Sequence, residues 1–198
     1  MKTTLKILIL ISTILTSSIV AQDTTKTQTS LIIKTDIFMP IYSLATNYKA
    51  GSLTVEFGVK RRHSLQITGL VSNLIGTTQQ YKSTQIIPAY KYFLSNKKPY
   101  TGFYTGLYIK GDQLTSISDY RQFSEPSYLE YKTTSMGGGL LFGYQNYIKK
   151  RIVVDILLGI GARQILNREI VKIENITFDV NKKTYLDALF ALNIGYKF

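Results

Sequence analysis

The segment Asp187-Ala-Leu-Phe-Ala-Leu-Asn-Ile-Gly-Tyr-Lys-Phe198 decides the fold. Every second residue back from Phe198 is apolar, and the residues between them are mixed. A period of two is typical of a β-strand whose two faces meet different surroundings. An unbroken apolar face that finishes on an aromatic residue is rare in a water-soluble sheet. It is expected of a strand that closes a barrel in a lipid bilayer, because open sheet edges are not stable in hydrocarbon.

The same stretch resembles the C-terminal signal of bacterial outer-membrane β-barrels, in which alternating apolar residues lead to a final Phe. The residues that carry the resemblance are Leu192, Ile194, Tyr196 and Phe198. Asn193 stands where that signal often has Gly. The resemblance implies that the barrel-assembly machinery is a partner during biogenesis.

The N-terminal residues have the composition of a secretory signal peptide. Lys2 and Lys6 form a basic start, residues 7–15 are a mainly apolar run, and Thr16-Ser-Ser-Ile-Val-Ala21 ends on a small residue. Such an apolar run is too short to cross a bilayer and too isolated to join a core. The sequence therefore predicts a signal peptide over 1–21, a polar linker over 22–30 and an outer-membrane barrel over 31–198. Without a Cys after the apolar run, a lipoprotein anchor is excluded.

Composition narrows the classes of protein further. The chain has 15 Tyr, 9 Phe, no Trp and no Cys, so disulfides and thiolate metal sites are excluded. Removing the two signal-peptide lysines lowers the formal charge from +12 to +10, since 12 − 2 = 10. A basic balance is typical of nucleic-acid binding, but an exported chain without a basic helix predicts no nucleic-acid partner.

Eight segments show the alternation of a strand. The hydropathy pattern places them at residues 31–40, 52–60, 64–72, 84–94, 101–110, 131–146, 152–163 and 187–198. Their connections alternate between long (42–51, 73–83, 111–130, 164–185) and short (60–63, 95–99, 147–151). We expect the last long connection to continue its two strands as a hairpin, with Glu174 and Asn175 near the tip. The fold class predicted is all-β, an eight-stranded antiparallel up-and-down transmembrane barrel, with both termini and the short turns on the periplasmic side.

The three short turns share a basic character. Together they contribute eight cations and no acid: Lys60, Arg61, Arg62, Lys97, Lys98, Lys149, Lys150 and Arg151. One basic turn would be ordinary, but three predict a ring of cations beside lipid phosphates. Four tyrosines near the same strand ends (Tyr92, Tyr100, Tyr147 and Tyr196) suit the boundary between acyl chains and water.

Four motifs together resemble a family of small exported barrels. They are Ile86-Ile-Pro-Ala-Tyr-Lys-Tyr-Phe93, Gly102-Phe-Tyr-Thr-Gly106, Gly143-Tyr-Gln145 and Leu158-Gly-Ile-Gly161. The resembling family is catalogued only as a domain of unknown function, and its architecture is that of the outer membrane protein A and X class. Strand four of that family often has an acid and an Arg where this chain has Ala89 and Lys91. The resemblance implies a location and a fold but no activity.

Charged residues on the less apolar strand faces predict an ion-pair network inside the barrel. The candidate members are Lys34, Asp36, Glu56, Lys91, Asp155 and Arg163. The interior of an eight-stranded barrel is just wide enough for its own side chains, so these groups must pair with each other or with inward Tyr104 and Tyr108. We expect a structural network, with space left by Gly137, Gly139, Gly159 and Gly161; a catalytic carboxylate pair or a conducting lumen are the alternatives.

No catalytic, cofactor or metal site is predicted. His63 is the only histidine, and although Ser64 follows it, adjacent residues of a strand point to opposite faces. The glycine run at 137–139 lacks the Lys and the helix of a phosphate-binding loop.

The sequence indicates the function less specifically than it indicates the fold and the location. The leading hypothesis is a non-enzymatic outer-membrane anchor that presents extracellular loops for envelope integrity or surface contact. Its expected partners are outer-membrane lipids and lipopolysaccharide, together with a surface ligand that the sequence does not identify. Alternatives are a narrow channel, a lipid-modifying outer-membrane enzyme, and a soluble lipocalin-like carrier, which would need charges inside an apolar pocket.

Overall fold

The computed structural model describes residues 30–38, 41, 48–95, 98–119, 128–174 and 184–198, with only the backbone of 172–174. Eight strands run through these residues. They are β1 (Leu31–Asp36), β2 (Tyr48–Lys60), β3 (His63–Ile75), β4 (Gln79–Phe93), β5 (Gly102–Asp119), β6 (Tyr128–Ile148), β7 (Ile152–Glu174) and β8 (Thr184–Lys197). The predicted signal peptide and all but the last residue of the predicted linker lie outside the described residues.

The strands form one closed barrel in sequence order, and every neighbouring pair is antiparallel. Closure is made by β1, where Ile33 is aligned with Tyr196 of β8 on one side and with Val55 of β2 on the other. Ser30 already belongs to this wall, because it is buried and its carbonyl accepts a hydrogen bond from the Gly58 amide at 2.9 Å. The predicted fold class, an eight-stranded up-and-down barrel, is confirmed.

The two faces of each strand differ sharply in character. Large apolar side chains lie exposed on the outside of all eight strands, among them Leu107 (58 % exposed) and Leu158 (54 %). Polar and charged side chains are buried inside, together with a smaller group of apolar ones. The outward apolar and inward polar assignment follows the alternation of the sequence. No helix in the described ranges is long and apolar enough to span a bilayer.

The strands are longer than the sequence analysis predicted. The predicted loop 111–130 is wrong, since β5 extends to Asp119 and β6 begins at Tyr128. The predicted loop 73–83 is also wrong, because β3 and β4 continue until only residues 76–78 connect them. Within 42–51, β2 already begins at Tyr48. In these extensions both strand faces are mixed in polarity, so the hydropathy alternation is lost while backbone pairing continues.

The last connection follows its prediction more closely. The described part of β7 reaches Glu174 and β8 begins at Thr184, so both strands extend into the segment 164–185 as a hairpin. Asn175, the other predicted tip residue, lies outside the described residues. At the start of the chain β1 ends at Asp36, and the predicted strand positions Met39 and Pro40 also lie outside them.

The short turns lie at one end of the barrel together with residues 30 and 198, as alternation of antiparallel strands requires. Seven of the eight predicted basic residues are described there, and all but Arg62 are exposed; Lys97 lies outside the described residues. The β6–β7 turn reverses the chain within three residues by placing Lys149 and Lys150 at positive φ, 50° and 70°. This end is called the turn end below, and the opposite end is called the far end.

Candidate functional site

Four charged side chains from four strands meet inside the barrel. The Lys34 ammonium lies 2.5 Å from Glu56 Oε2 and 2.6 Å from Asp155 Oδ2. The Lys91 ammonium lies 2.8 Å from Asp155 Oδ2 and 3.4 Å from Glu56 Oε2. All four side chains are fully buried, and two cations balance two anions. We call these four residues the ion cluster.

Neutral polar groups add hydrogen bonds to Lys34 and Asp155 of the ion cluster. Lys34 donates to the side-chain oxygens of Gln66 and Gln145, each at 3.1 Å. The Tyr104 hydroxyl donates to Asp155 Oδ1 at 2.7 Å, and the Lys91 ammonium lies 4.4 Å from the centre of the Tyr104 ring. Removing charges from water is expensive unless they are paired and hydrogen-bonded. Within the described residues, three of the four carboxylate oxygens of the cluster have partners, and Glu56 Oε1 has none.

Glycines on neighbouring strands make the space that these side chains need. A Cβ added at Gly195 would overlap the stem of Lys34, and one at Gly143 would overlap the Tyr104 ring. The register explains this, since Lys34 is aligned with Gly195 and Tyr104 with Gly143. Of the glycines predicted to make room, Gly159 faces the apolar side chains of Leu141 and Leu189 instead. At Gly137, Gly139 and Gly161 an added Cβ would meet the neighbouring backbone.

An aromatic layer closes the turn-end side of the ion cluster. Phe93, Tyr100 and Tyr104 are buried against one another, with ring centres 5.4 to 6.0 Å apart, and half-buried Tyr147 packs against them. Tyr100 lies in the β4–β5 connection, where burial raises the pKa of its hydroxyl above the ordinary value. Its carbonyl accepts a hydrogen bond from the Gln145 side chain at 3.0 Å. The lumen is therefore filled from the turn end up to the ion cluster.

The remaining two predicted network residues lie apart from the ion cluster. Asp36 accepts hydrogen bonds from the backbone amides of Phe38 at 2.9 Å and Leu192 at 3.4 Å. Arg163 pairs with Asp112 at 3.3 Å. Asp112 also accepts from Ser83 at 2.8 Å and from Ser135 at 3.3 Å.

Sequence reasoning missed two acids of the lumen. Asp112 was assigned to a loop, and Asp187 was not recognised as a partner for the inward cation Lys110. In the structure both acids are buried, and Asp187 binds the Lys110 ammonium and accepts from the Tyr108 hydroxyl at 2.9 Å. Extending the alternation of strand five beyond Lys110 would have placed Asp112 and Ser116 inside the barrel.

The turn-end arginines contact tyrosines on the outside of the barrel. Arg62 Nη1 donates to the Tyr92 hydroxyl at 3.0 Å, and Arg151 Nη1 donates to the Tyr196 hydroxyl at 2.6 Å. The Tyr196 ring also packs edge-on against Phe198, with centres 5.0 Å apart. Of the other two residues of the C-terminal pattern, Ile194 is exposed on the outer face and Leu192 is half-buried.

His63 is the first residue of β3 and not a turn residue. Its Nδ1 lies 2.5 Å from the Tyr90 hydroxyl, and its ring centre lies 5.2 Å from that of Tyr92. Ser64 is fully buried on the inner face. The two neighbours therefore point to opposite faces of the wall.

These features define a small up-and-down β-barrel with an apolar exterior and a charged, hydrogen-bonded interior. The chain belongs to the family described as "Protein of unknown function (DUF3575)", whose model matches residues 7–198. The resemblance to a family of unknown function is thus confirmed. No curated protein matches the chain.

One solved structure is similar to this chain at low identity. It is the N-terminal β-barrel domain of Pseudomonas aeruginosa OprF, which has 11% sequence identity and a TM-score of 0.37. The match covers 87% of this chain and 100% of that one.

Proposed function

We propose that this protein is a non-enzymatic integral barrel of a bacterial outer membrane, which anchors extracellular segments for envelope integrity or surface contact. The observation that carries the proposal is the exposed apolar band on all eight strands of a closed barrel whose interior holds buried ion pairs. Contiguous apolar surface of this extent is a liability in water. In a bilayer it is the required exterior.

The two ends of the barrel differ, and the difference supports one orientation of the barrel in the membrane. At the turn end, exposed cations and the Arg62–Tyr92 and Arg151–Tyr196 pairs suit lipid phosphates and the water–acyl boundary. Strands β5, β6 and β7 have 18, 21 and 23 residues, whereas about 9–11 residues are enough to cross a bilayer. The additional residues of these strands extend the barrel at the far end. We assign the turn end to the periplasm and the projecting far end to the cell surface, where lipopolysaccharide is the nearest partner.

The filled lumen favours an anchor over a channel. The ion cluster and the aromatic layer occupy the interior at the turn end, and their contacts would have to separate before a solute could pass. We therefore expect no steady conductance from the purified protein in planar bilayers. Steady open-channel currents would favour the narrow-channel alternative.

Site-directed labelling tests the location and the orientation together. The chain has no Cys, so Thr77→Cys in the far-end β3–β4 turn and Lys149→Cys at the turn end each introduce a single thiol at an exposed residue. An impermeant maleimide should label Thr77→Cys on intact cells and Lys149→Cys only after the outer membrane is opened. Labelling of Lys149→Cys on intact cells would overturn the orientation, and recovery of unlabelled protein in the soluble fraction would overturn the location.

The lipid-modifying alternative depends on His63. This residue is near the turn end on the outer face, with its ring against Tyr90 and Tyr92. We expect that His63→Ala leaves the lipid profile of the membrane unchanged compared with wild type. A change in acyl-chain or headgroup composition that disappears in His63→Ala would support an enzyme instead.

A further inference from the structure

The far-end side of the ion cluster is not filled like the turn-end side. A cavity of about 180 Å³ lies in the lumen there. Gln66 belongs to its wall and also accepts the hydrogen bond from Lys34, so the cavity lies directly on the ion cluster. Lys110, which is paired with Asp187, lines the cavity as well.

The cavity wall is amphipathic. One part is apolar and comes from β4, β6, β7 and β8, where Ile87, Ala89, Leu141 and Leu157 form a buried cluster against which Leu189 packs. The other part is polar. Ser52, Thr54, Gln66 and Thr68 of this part come from β2 and β3, and Asp36, Gln85, Lys110 and Asn193 come from other strands. There Thr54 and Thr68 share a hydrogen bond of 2.8 Å between their hydroxyls, and the Gln66 amide donates to Thr68 at 3.1 Å.

The charged side chains around the cavity already have ion-pair or hydrogen-bond partners. Lys110 is paired with Asp187, and Asp36 accepts two backbone amides. Gln66 separates the cavity from the ion cluster, whose four charges balance. A charged occupant would lose its hydration, and the charged side chains that line the cavity already make hydrogen bonds or ion pairs. A neutral occupant with one hydroxyl could use the threonines, since a hydroxyl both donates and accepts.

The cavity is partly open, with exposed Ala188 and Phe190 of β8 also in its lining, and its volume fits a small molecule. An engineered apolar cavity of roughly 150 Å³ in another protein binds benzene. We propose that the lumen holds a specific site for a neutral, single-ring amphiphile, with the ring against Ala89, Leu141 and Leu157 and the hydroxyl on the Thr54–Thr68 side. This site is additional to the proposed anchoring role and does not depend on it.

Fluorine NMR of the refolded full chain in detergent micelles tests the site, with 4-fluorophenol as the probe. Wild type should show saturable binding above the partitioning seen with micelles alone. Ala89→Leu adds three carbons to a buried wall residue and should weaken binding about tenfold or more, because a close-packed site does not admit both groups. Ala162→Leu, the same change at an exposed outer position, should bind like wild type.

A second variant tests the polar wall and does not fill the cavity. Thr68→Val should weaken 4-fluorophenol about two- to tenfold, the range of one neutral hydrogen bond, and leave fluorobenzene unaffected. Thr105→Val, whose hydroxyl donates to the Leu141 carbonyl at 3.2 Å, is the matched control. Absence of saturable binding to wild type would overturn the proposal. Equal binding to Ala89→Leu and Ala162→Leu, with both shown to be folded, would overturn it too.

Discussion

Replacing Lys34 by Met is the most direct test of the ion cluster. Lys34 contacts two carboxylates at 2.5 and 2.6 Å and two amide oxygens at 3.1 Å, with no exposure to solvent. Methionine keeps most of the length of the side chain and removes the charge, so the cluster changes from neutral to a net charge of −1. Removing one partner of a buried ion pair destabilises proteins by about 3–5 kcal/mol. We expect Lys34→Met to lower the free energy of unfolding by that amount.

The distances also predict which second substitution restores stability. Without Lys34, Asp155 keeps Lys91 at 2.8 Å and the Tyr104 hydroxyl at 2.7 Å, whereas Glu56 keeps only Lys91 at 3.4 Å. In Lys34→Met, Glu56 is therefore the carboxylate with fewer ion-pair and hydrogen-bond partners. Adding Glu56→Gln to Lys34→Met should recover about 1–3 kcal/mol, and adding Asp155→Asn should recover less.

The measurement is urea unfolding of the protein refolded into lipid vesicles. Far-UV circular dichroism and the gel mobility of folded and unfolded chains suit a sequence without Trp. Lys60→Met removes the same charge from an exposed position and should change stability by about 0.5 kcal/mol or less. If Lys34→Met were as mild as Lys60→Met, or if Asp155→Asn rescued it better than Glu56→Gln, the reasoning from these distances would be refuted.

Three further predictions follow from the wall and the lumen, each measured by the same unfolding assay. Leu107→Arg, on the outer face, should destabilise the vesicle-bound barrel by about 2–4 kcal/mol if that face meets the bilayer midplane; unchanged stability would contradict the lipid-facing assignment. Tyr104→Phe removes the donor to Asp155 and should lower stability by about 1.5–3 kcal/mol, and a neutral effect would show that this bond is dispensable. Gly143→Ala would overlap the Tyr104 ring and the Ile156 carbonyl oxygen and should lose about 1–3 kcal/mol; replacing Tyr104 by Ala should remove only the part that comes from the ring, so an undiminished loss in that background would locate the strain in the backbone contact.

The sequence predicted which face each central strand residue takes. In the central part of each strand, many inward residues such as Tyr104 carry polar groups, and outward residues such as Leu107 are apolar. A period of two in the sequence therefore assigns each residue to the inner or the outer face. Beyond Lys110 the signal fails, because residues 111–119 carry mostly polar side chains on both faces, with Leu114 on one face and Ile117 on the other. The backbone ladder there continues without any change in hydropathy, and the predicted loop was consequently a strand.

The sequence could not predict which inward charges meet. Alternation gives the face of a residue but not its height along the barrel axis, which depends on strand tilt and register. Lys34 and Asp36 both point inward from β1, yet only Lys34 reaches Asp155 of β7. The sequence could not predict the cavity for a related reason, because the volume of the cavity depends on how Ala89 and Leu141 face each other across the lumen.

The ion cluster also favours a single register of β1 against its neighbouring strands. A shift of β1 by one residue against β2 and β8 would turn Lys34 and Asp36 outward and Ile33 inward, because side chains alternate at every step. The shifted barrel would leave Glu56 and Asp155 with Lys91 alone and would expose a cation on the apolar exterior, where it costs about 2–4 kcal/mol at the bilayer midplane. Both the lost ion pairs and the exposed cation disfavour the shifted register. β1 has only six residues and therefore few ladder hydrogen bonds to define its position, so the contacts of Lys34 specify the closure of the barrel as well as stabilise it.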